Sequence, residues 1–217
     1  MYVKQIVYLQ YDQVEYYYNH KSMDRIVNIE VTRDIVSGVF LSEDIAEVNL
    51  LLRAINSEIE TYAIDIVTFN VNTSSRHDEI IALRLGQCVI DHSRFTPPAE
   101  GNFRTHIDFQ GPGWLTTNHI TGLPFKYETP IALLKVGQRI TCDVIVKRGA
   151  GKQHVKWRPV SQIRSTEVDN GHKVTFKTIG MLTPQEIFQK GYEKISEAAH
   201  RAPITLFSHQ LIPANMK

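Results

Sequence analysis

The sequence has little cysteine: two residues in 217, Cys88 and Cys142, which lie far apart in the chain. Neither belongs to a Cys-x-x-Cys pair, and a zinc ion held by thiolates needs clustered ligands. Isolated thiols are typical of a reducing compartment rather than of a secreted disulfide scaffold, although a disulfide between these two stays open. We therefore expect an intracellular protein that binds no metal and no cofactor through cysteine.

The chain also lacks long apolar runs and a strong charge of one sign. No window approaches the roughly 18 apolar residues of a membrane span. The first residues lack the basic stretch and apolar run of a signal peptide. The net charge of +1 provides no basic field of the kind that a stand-alone duplex-binding protein uses. We expect no membrane contact.

What is present is an ordinary globular composition, 42% hydrophobic and 22% charged, in a length that fits one large domain or two small ones. The alternation of Val27, Ile29 and Val31 with polar residues predicts a half-buried strand over 25–33. Similar patterns predict further strands over 62–71, 140–146 and 173–177. Gly149 and Gly151 are predicted to end the second of these.

A first amphipathic helix is predicted to begin at Ser42, whose hydroxyl can cap it. Two acids, Glu43 and Asp44, follow at the positive end of the helix dipole. The apolar side chains that come next at helical spacing form a wide stripe: Val48, Leu51, Leu52, Ile55 and Ile59.

A second amphipathic helix is predicted by the T-P-Q-E sequence at 183–186, a capping box with proline at the first helical position. One face carries Ile187, Gly191 and Ile195, and Pro203 ends the helix. Glycine costs about 1 kcal/mol in a helix interior, so Gly191 indicates either the close approach of a partner helix or mere tolerance.

The order of elements predicts an α+β fold: strand, helix, strands, a loop-rich β region over 91–130, then strand and helix. A short helix is also predicted over 77–85, stopped by Gly86. We expect both amphipathic helices to cover one sheet. An apolar stripe left uncovered would have to meet another chain.

Four segments resemble one known family. Residues 49–65, N-L-L-L-R-A-I-N-S-E-I-E-T-Y-A-I-D, resemble the first-helix motif of RNA polymerase alpha-type subunits. This family includes the bacterial alpha subunit, the third-largest subunit of the eukaryotic enzymes and its archaeal counterpart. Asn49, Arg53 and Glu58 match its pattern, whereas Leu52 and Glu60 replace the family's arginine and proline.

The other three segments follow in the family's order. Residues 72–86, N-T-S-S-R-H-D-E-I-I-A-L-R-L-G, are similar to the archaeal and eukaryotic N-T-S-x-x-x-D-E-x-x-A-H-R-L-G. The L-K-V-G-Q sequence at 134–138 leads to K-R-G-A-G-K-Q-H-V-K-W-R-P-V at 147–160, which is similar to the family's K-x-G-Q … K-G-x-G-K-x-H-A-K-W-x-P-V. Residues 176–187 resemble the F-x-x-x-G-x-L-x-P-E-E-I segment that opens the family's last helix.

The resemblance implies a discontinuous dimerisation domain, a sheet with two amphipathic helices, over 21–66 and 170–201. A β-rich domain would be inserted over 67–169, with an N-terminal extension over 1–20 and a C-terminal tail over 202–217. The family's cysteine-rich metal loop is not carried over, because 93–118 contains no cysteine.

The resemblance also implies a non-catalytic assembly subunit of a multisubunit DNA-dependent RNA polymerase, whose catalytic residues belong to another subunit. It would form a heterodimer with a smaller alpha-like subunit, dock the second-largest subunit, meet other small subunits, and reach DNA only through the complex. The compact length and divergent first helix resemble virus-encoded members. The expected location is the nucleus or cytoplasm, or the virion if the chain is virus-encoded.

The residues expected to contact partner subunits come from all four segments and from the helix that the fourth segment opens. They are Asn49, Arg53, Glu58, His77, Asp78, Glu79, Arg84, Lys152, His154, Lys156, Trp157, Ile187, Gly191 and Ile195. For Trp157, a place in the core of the inserted domain is an equally good alternative.

Two other functions stay open from the residues alone. A small hydrolase would use His77, Asp78 and Glu79, but adjacent residues on a helix point in different directions and seldom converge on one atom. A nucleic-acid-binding module would use Lys147, Arg148, Lys152, Lys156 and Arg158. The G-A-G-K sequence at 149–152 is not a phosphate-binding loop, because its upstream glycine and its Ser/Thr are missing.

Overall fold

Two antiparallel sheets, each with its own hydrophobic core, make up the α+β fold of this chain. The computed structural model describes residues 15–16, 25–99 and 101–201. Most of the predicted N-terminal extension, Pro203 and the C-terminal tail lie outside the described residues. Within the described part of the chain, the helices are all too short or too polar to cross a membrane.

The first sheet has five strands in the order β1 (Glu15–Tyr16), β2 (Ile26–Thr32), β3 (Ile35–Phe40), β10 (Gly171–Thr178) and β9 (Val160–Val168). Every neighbouring pair is antiparallel. The prediction of a strand over 25–33 is confirmed, but the alternation is interrupted by a bulge between Val27 and Glu30. There Asn28 adopts a positive φ of 53°, so Ile26 and Ile29 become the buried residues.

The helices α1 (Ile45–Arg53) and α3 (Pro184–Arg201) pack on this sheet, as expected. The predicted stripe is buried by the chain's own sheet rather than left for another chain. Its fully or nearly fully buried members are Val48, Leu51, Ile55 and Ile59. The capping box at α3 is confirmed, because the Thr183 N–H donates to Glu186 Oε2 (2.8 Å) and the Glu186 N–H donates to Thr183 Oγ1 (3.3 Å).

The second sheet has the order β4 (Glu60–Asn72), β8 (Arg139–Ala150), β5 (Phe103–Gln110). A two-stranded ribbon, β6 (Gly113–Thr116) with β7 (Pro130–Leu134), and the helix α2 (Asp78–Gly86) complete its core. The alternating side chains Ile140, Cys142, Val144 and Val146 are all buried, as the period-two pattern predicts. Cys88 and Cys142 are both buried as free thiols, and burial raises the pKa of each to about 12.

Two predicted element ends were wrong in detail. The cap of α1 is Asp44, whose carboxylate accepts the Ala46 N–H at 2.8 Å, while the Ser42 hydroxyl donates to Glu47 Oε2 at 2.7 Å. The strand β8 continues through Gly149 to Ala150, because β4 pairs with it to the end. A π-helical turn, Ala54–Glu58, follows α1 and leads directly into β4.

The chain changes sheet at two places. It leaves the first sheet after Phe40 and the first core after Ile59, enters the second sheet at Glu60, and returns to the first sheet at Val160. The boundaries drawn from the sequence, at 66/67 and 169/170, therefore lie within β4 and after β9. The division into domains stays a prediction.

His92 joins the two cores. Its ring Nε2 accepts the backbone N–H of Tyr62 in β4 at 3.1 Å, and its backbone N–H donates to the carbonyl of Met181, just before α3, at 3.2 Å. Accepting the bond from Tyr62 requires the neutral ring. Burial lowers the pKa of His92 below its ordinary value of 6.5.

Acidification is therefore expected to destabilise the fold through His92. The unfolded chain binds the imidazole proton more tightly than the folded chain. The contribution of His92 to the free energy of unfolding is therefore complete above about pH 6.5 and is lost as the pH falls below it. Urea unfolding should show a free energy that declines between about pH 7 and pH 5. The His92→Gln variant, which keeps an acceptor but does not titrate, should show a smaller decline. If the free energy of unfolding declines equally with pH in the wild type and in His92→Gln, His92 is not the group responsible.

Candidate partner interface

A groove of about 610 Å³ lies where α1, the π-helical turn, the end of β8 and the C-terminal half of α3 meet. It brings together residues that are far apart in the sequence. Its lining consists of Leu50, Arg53, Ala54, Glu58, Glu60, Ala150, Lys152, Gln153, Lys194, Ile195 and Glu197.

The groove wall depends on the close approach of two backbone segments. A Cβ added at Gly151 would lie 2.6 Å from the Asn56 carbonyl oxygen, so only glycine fits there without displacement. The Lys152 N–H donates to the Ser57 carbonyl at 3.0 Å and fixes the turn after β8 against the π-helical turn. The glycine-rich segment thus serves to join the two segments.

Ion pairs line the rim of the groove. Lys152 Nζ lies 2.6 Å from Glu58 Oε2, Lys194 Nζ lies 3.0 Å from Glu197 Oε2, and Arg148 pairs with Glu60. Such exposed pairs contribute about 0–1 kcal/mol each, so they fix geometry more than stability. The Arg53 side chain is exposed and forms no ion pair or hydrogen bond with the described residues. It is an uncompensated guanidinium at the edge of an apolar floor.

Comparison with known proteins identifies the family. No family model matches the chain. It is 35% identical over 136 residues to DNA-directed RNA polymerase subunit Rpo3 of Thermococcus kodakarensis, covering 58% of this chain and 51% of that protein. It is 30% identical over 156 residues to subunit Rpo3 of Methanocaldococcus jannaschii, covering 70% and 80%. The chain belongs to the Rpo3/RPB3 family of RNA polymerase subunits.

A eukaryotic relative supports the same membership. DNA-directed RNA polymerase II subunit RPB3 of Schizosaccharomyces pombe is 30% identical over 166 residues, covering 61% of this chain and 56% of that protein. The chain thus spans about half the length of several relatives that it matches. The resemblance inferred from the four segments is confirmed, and these identities agree with a divergent member. A viral origin stays a prediction.

The second family segment builds the connection between β4 and α2. Asn72 Nδ2 donates to Asp78 Oδ1 (2.6 Å), and Asn72 Oδ1 accepts the Ser74 N–H (3.0 Å) and hydroxyl (2.7 Å). His77 and Glu79 are exposed, and the described residues contain no group of three potential metal ligands. In this Rpo3/RPB3 chain Asn72, Ser74 and Asp78 therefore hold the turn together. The hydrolase alternative gains no support from this arrangement.

The third family segment forms a compact cluster beside the groove. Trp157 is buried, and its indole lies 2.5 Å from where a Cβ on Gly149 would be. Lys156 Nζ lies 2.6 Å from Asp65 Oδ1 and Lys147 Nζ lies 3.0 Å from Asp65 Oδ2. Burial alone would raise the pKa of Asp65, but hydrogen bonds from the two lysines outweigh it and lower the pKa below its ordinary value.

The predicted partner residues thus fall into three groups. The groove contains Arg53, Glu58, Lys152 and Ile195, with Asn49 exposed on the same helix and His154 on the turn after Lys152. His77, Asp78, Glu79 and Arg84 lie on or next to α2, over the second core. The Arg84 side chain donates to the Ile131 carbonyl at 2.8 Å, so it also supports the β6–β7 ribbon.

The last group has its contacts inside the chain. Ile187 is fully buried, and a Cβ on Gly191 would lie 2.6 Å from Ile55 Cγ1. The helical turn that approaches Gly191 is therefore the chain's own. Partner roles for Ile187, Gly191 and Trp157 stay predictions. Ile195 is mostly buried in the first core.

Leu50 and Lys194 line the groove but were missed from the sequence. Leu50 lies within the first-helix motif but outside the buried stripe. This position of an apolar residue on α1 could have indicated an exposed contact residue. Lys194 carries no such signal, because only the packing of α3 against α1 brings it to the groove.

Proposed function

We propose that this chain is a non-catalytic assembly subunit of a multisubunit DNA-directed RNA polymerase. It forms a heterodimer with a smaller alpha-like subunit and docks the second-largest subunit. Membership of the Rpo3/RPB3 family supports the class of complex. The observation that carries the docking role is the groove, where the first-helix motif and the glycine-rich motif form one surface around an uncompensated Arg53.

Arg53 is the residue that docks the second-largest subunit. A guanidinium presents its donors in a fixed fork that suits carboxylate and carbonyl acceptors. The carboxylates beside it, Glu58 and Glu60, are already engaged by Lys152 and Arg148. Glu197, which also lines the groove, is engaged by Lys194, so an acceptor on another chain suits Arg53.

The smaller subunit pairs with the outer face of α1. The inner faces of α1 and α3 are covered by their own sheet, which leaves Ile45 and Leu50 as the large apolar side chains exposed on α1, at 54% and 48%. Exposed apolar side chains on one helix suit a protein partner. Leu50 also lines the groove, so the two partner surfaces adjoin.

The discontinuous domain is part of the same proposal. The chain leaves the first core after Ile59 and returns at Val160, and each part has a separate hydrophobic core. This arrangement supports a dimerisation domain of first-sheet elements with a second domain inserted. The chain is located where the polymerase complex is, which is the nucleus, the cytoplasm or a virion.

Co-purification tests the proposal. The tagged full chain is co-expressed with the smaller alpha-like subunit and the second-largest subunit from the same genome. We expect Leu50→Asp to abolish recovery of the smaller subunit. We expect Arg53→Ala to lower recovery of the second-largest subunit about tenfold, a loss typical of a desolvated charged hydrogen bond, while the smaller subunit is retained.

Leu83→Asp is the matched control for pairing with the smaller subunit. Leu83 lies on α2, and its exposed fraction of 52% is similar to the 48% of Leu50. It should leave that pairing unchanged. The proposal fails if wild-type chain recovers neither subunit, or if Arg53→Ala recovers the second-largest subunit as well as wild type does. Turnover by the isolated chain would favour the enzyme alternative.

A further inference from the structure

The helix α3 ends beside the groove. Lys194, Ile195 and Glu197 line the groove, and the described part of the helix ends at Arg201. At about 1.5 Å per residue, Arg201 lies about 6 Å beyond Glu197 along the helix axis. The C-terminal tail over 202–217 is therefore attached close to one wall of the groove.

Pro203 stops the chain from continuing in the direction of α3. A proline disfavours helical geometry in the residue before it, here Ala202, and lacks the N–H that a further helical turn needs. We therefore expect the chain to change direction immediately after Arg201, next to the groove.

The tail has an apolar composition. Between Pro203 and Pro213, five of the nine residues are large and apolar: Ile204, Leu206, Phe207, Leu211 and Ile212. The whole tail contains no acid, and Lys217 is its single lysine or arginine. A segment that remains in solvent has the opposite composition, poor in apolar residues and rich in charge. The apolar side chains of the tail therefore need a surface that covers them.

The groove provides such a surface. Its apolar lining residues are Leu50, Ala54, Ala150 and Ile195, and Leu50 is 48% exposed. The acids of the lining are already paired with lysine or arginine side chains, so an uncharged apolar segment suits the groove. Arg53 is the exception, and a tail without an acid leaves it unpaired.

The tail is long enough to reach across the groove. An extended chain advances about 3.3 Å per residue, so Ser208, seven residues after Arg201, lies up to about 23 Å from it. This reach exceeds the roughly 6 Å back to Glu197 severalfold, which leaves length for the chain to reverse its direction. The apolar side chains of the tail can thus lie over Leu50.

We propose that the tail over 202–217 folds back into the groove and covers Leu50 when no partner is bound. The occupant is this chain's own tail rather than that of a second copy, because attachment to α3 gives it a high effective concentration at the groove. The tail has no carboxylate side chain for Arg53, so a partner that supplies one displaces it. Displacement by polymerase subunits rests on the function proposed above, whereas occupancy of the groove does not.

Disulfide trapping in the full chain tests the occupancy. The Leu50→Cys/Ser208→Cys variant is incubated with oxidised glutathione and analysed by non-reducing gel and mass spectrometry. The native Cys88 and Cys142 are buried and do not compete. We expect an intramolecular disulfide between positions 50 and 208 in most chains. Such a bond forms only where the two Cα atoms approach to about 4.4–6.8 Å.

Leu83→Cys/Ser208→Cys is the matched control. Leu83 is 52% exposed, similar to Leu50, but it lies on α2 over the second core. This pair should cross-link at least about tenfold more slowly. Adding Leu206→Ser and Phe207→Ser to the Leu50→Cys/Ser208→Cys variant should slow its cross-linking about tenfold, because the apolar packing that holds the tail is lost.

Three results would overturn the inference. They are no cross-link between positions 50 and 208, an equal rate in the control pair, or an unchanged rate after Leu206 and Phe207 are replaced. Disulfide-linked dimers in place of the intramolecular bond overturn it in favour of a second copy.

Co-purification separates the displacement step from the proposed function. The oxidised Leu50→Cys/Ser208→Cys chain should recover about tenfold less of the smaller subunit than the same variant after dithiothreitol, because the tail can no longer leave the groove. Equal recovery by the two forms overturns displacement while the proposed function stands. If wild-type chain recovers no subunit, the proposed function fails, and the cross-linking rates still decide the occupancy.

Discussion

Replacement of Phe188 by alanine is expected to lower the free energy of unfolding by about 3–5 kcal/mol. Phe188 is fully buried at the centre of the first core, with its ring centroid 5.2 Å from that of Phe176. The Phe188 ring also lies 2.9 Å from where a Cβ on Gly38 would be, so the sheet has been shaped around this side chain. The cavity left by alanine cannot close without moving β3.

Urea unfolding measured on the isolated chain checks this prediction. Leu83→Ala is the control, because Leu83 is half exposed on α2 and its truncation should change stability by no more than about 0.5 kcal/mol. A loss of less than about 1 kcal/mol in Phe188→Ala would mean that α3 does not pack on the sheet as described. The same loss in both variants would also contradict the prediction.

Replacement of Gly151 by alanine is expected to cost about 1–3 kcal/mol and to weaken partner binding as well. The added methyl group would lie 2.6 Å from the Asn56 carbonyl oxygen, a backbone atom that cannot rotate away. Relief of this clash separates the turn after β8 from the π-helical turn. The Lys152–Ser57 backbone bond and the Glu58–Lys152 pair are then lost from the groove wall.

Gly86→Ala is the control for this prediction. A Cβ at Gly86 would lie 3.4 Å from its nearest neighbour, an ordinary contact, and alanine favours the helix end. Urea unfolding gives the stability change, and co-purification of the second-largest subunit gives the effect on the groove. Equal stability of the two variants would contradict the role of Gly151. Full recovery of the second-largest subunit with Gly151→Ala would show that docking does not depend on the groove wall.

The strands and helices could be predicted because each has a strong local pattern. The alternation of Val174 and Phe176 and the capping box before Ile187 both depend on residues only a few positions apart. The start of α1 was misplaced, since Ser42 and Asp44 are both good caps and the sequence does not rank them. The bulge at Asn28 was missed because a positive φ at asparagine leaves no periodic signal.

The candidate site was only partly predictable. Arg53 and Lys152 were singled out through their motifs, but their placement on one groove depends on β4 pairing with β8 over its whole length. Gly191 was interpretable as a close approach, yet the approaching residue, Ile55, belongs to the same chain. Sequence spacing cannot distinguish a partner's helix from the chain's own, because the steric requirement on the glycine is the same.

The sequence by itself determined the α+β class, the order of the elements and the family, since these follow from local periodicity, capping and motif order. Only the tertiary structure decided which apolar faces are buried within the chain and which are left for others. It covers the stripe of α1 with the first sheet and leaves Leu50 and Arg53 exposed. The physical reason is that burial depends on contacts between residues distant in sequence, which no local pattern encodes.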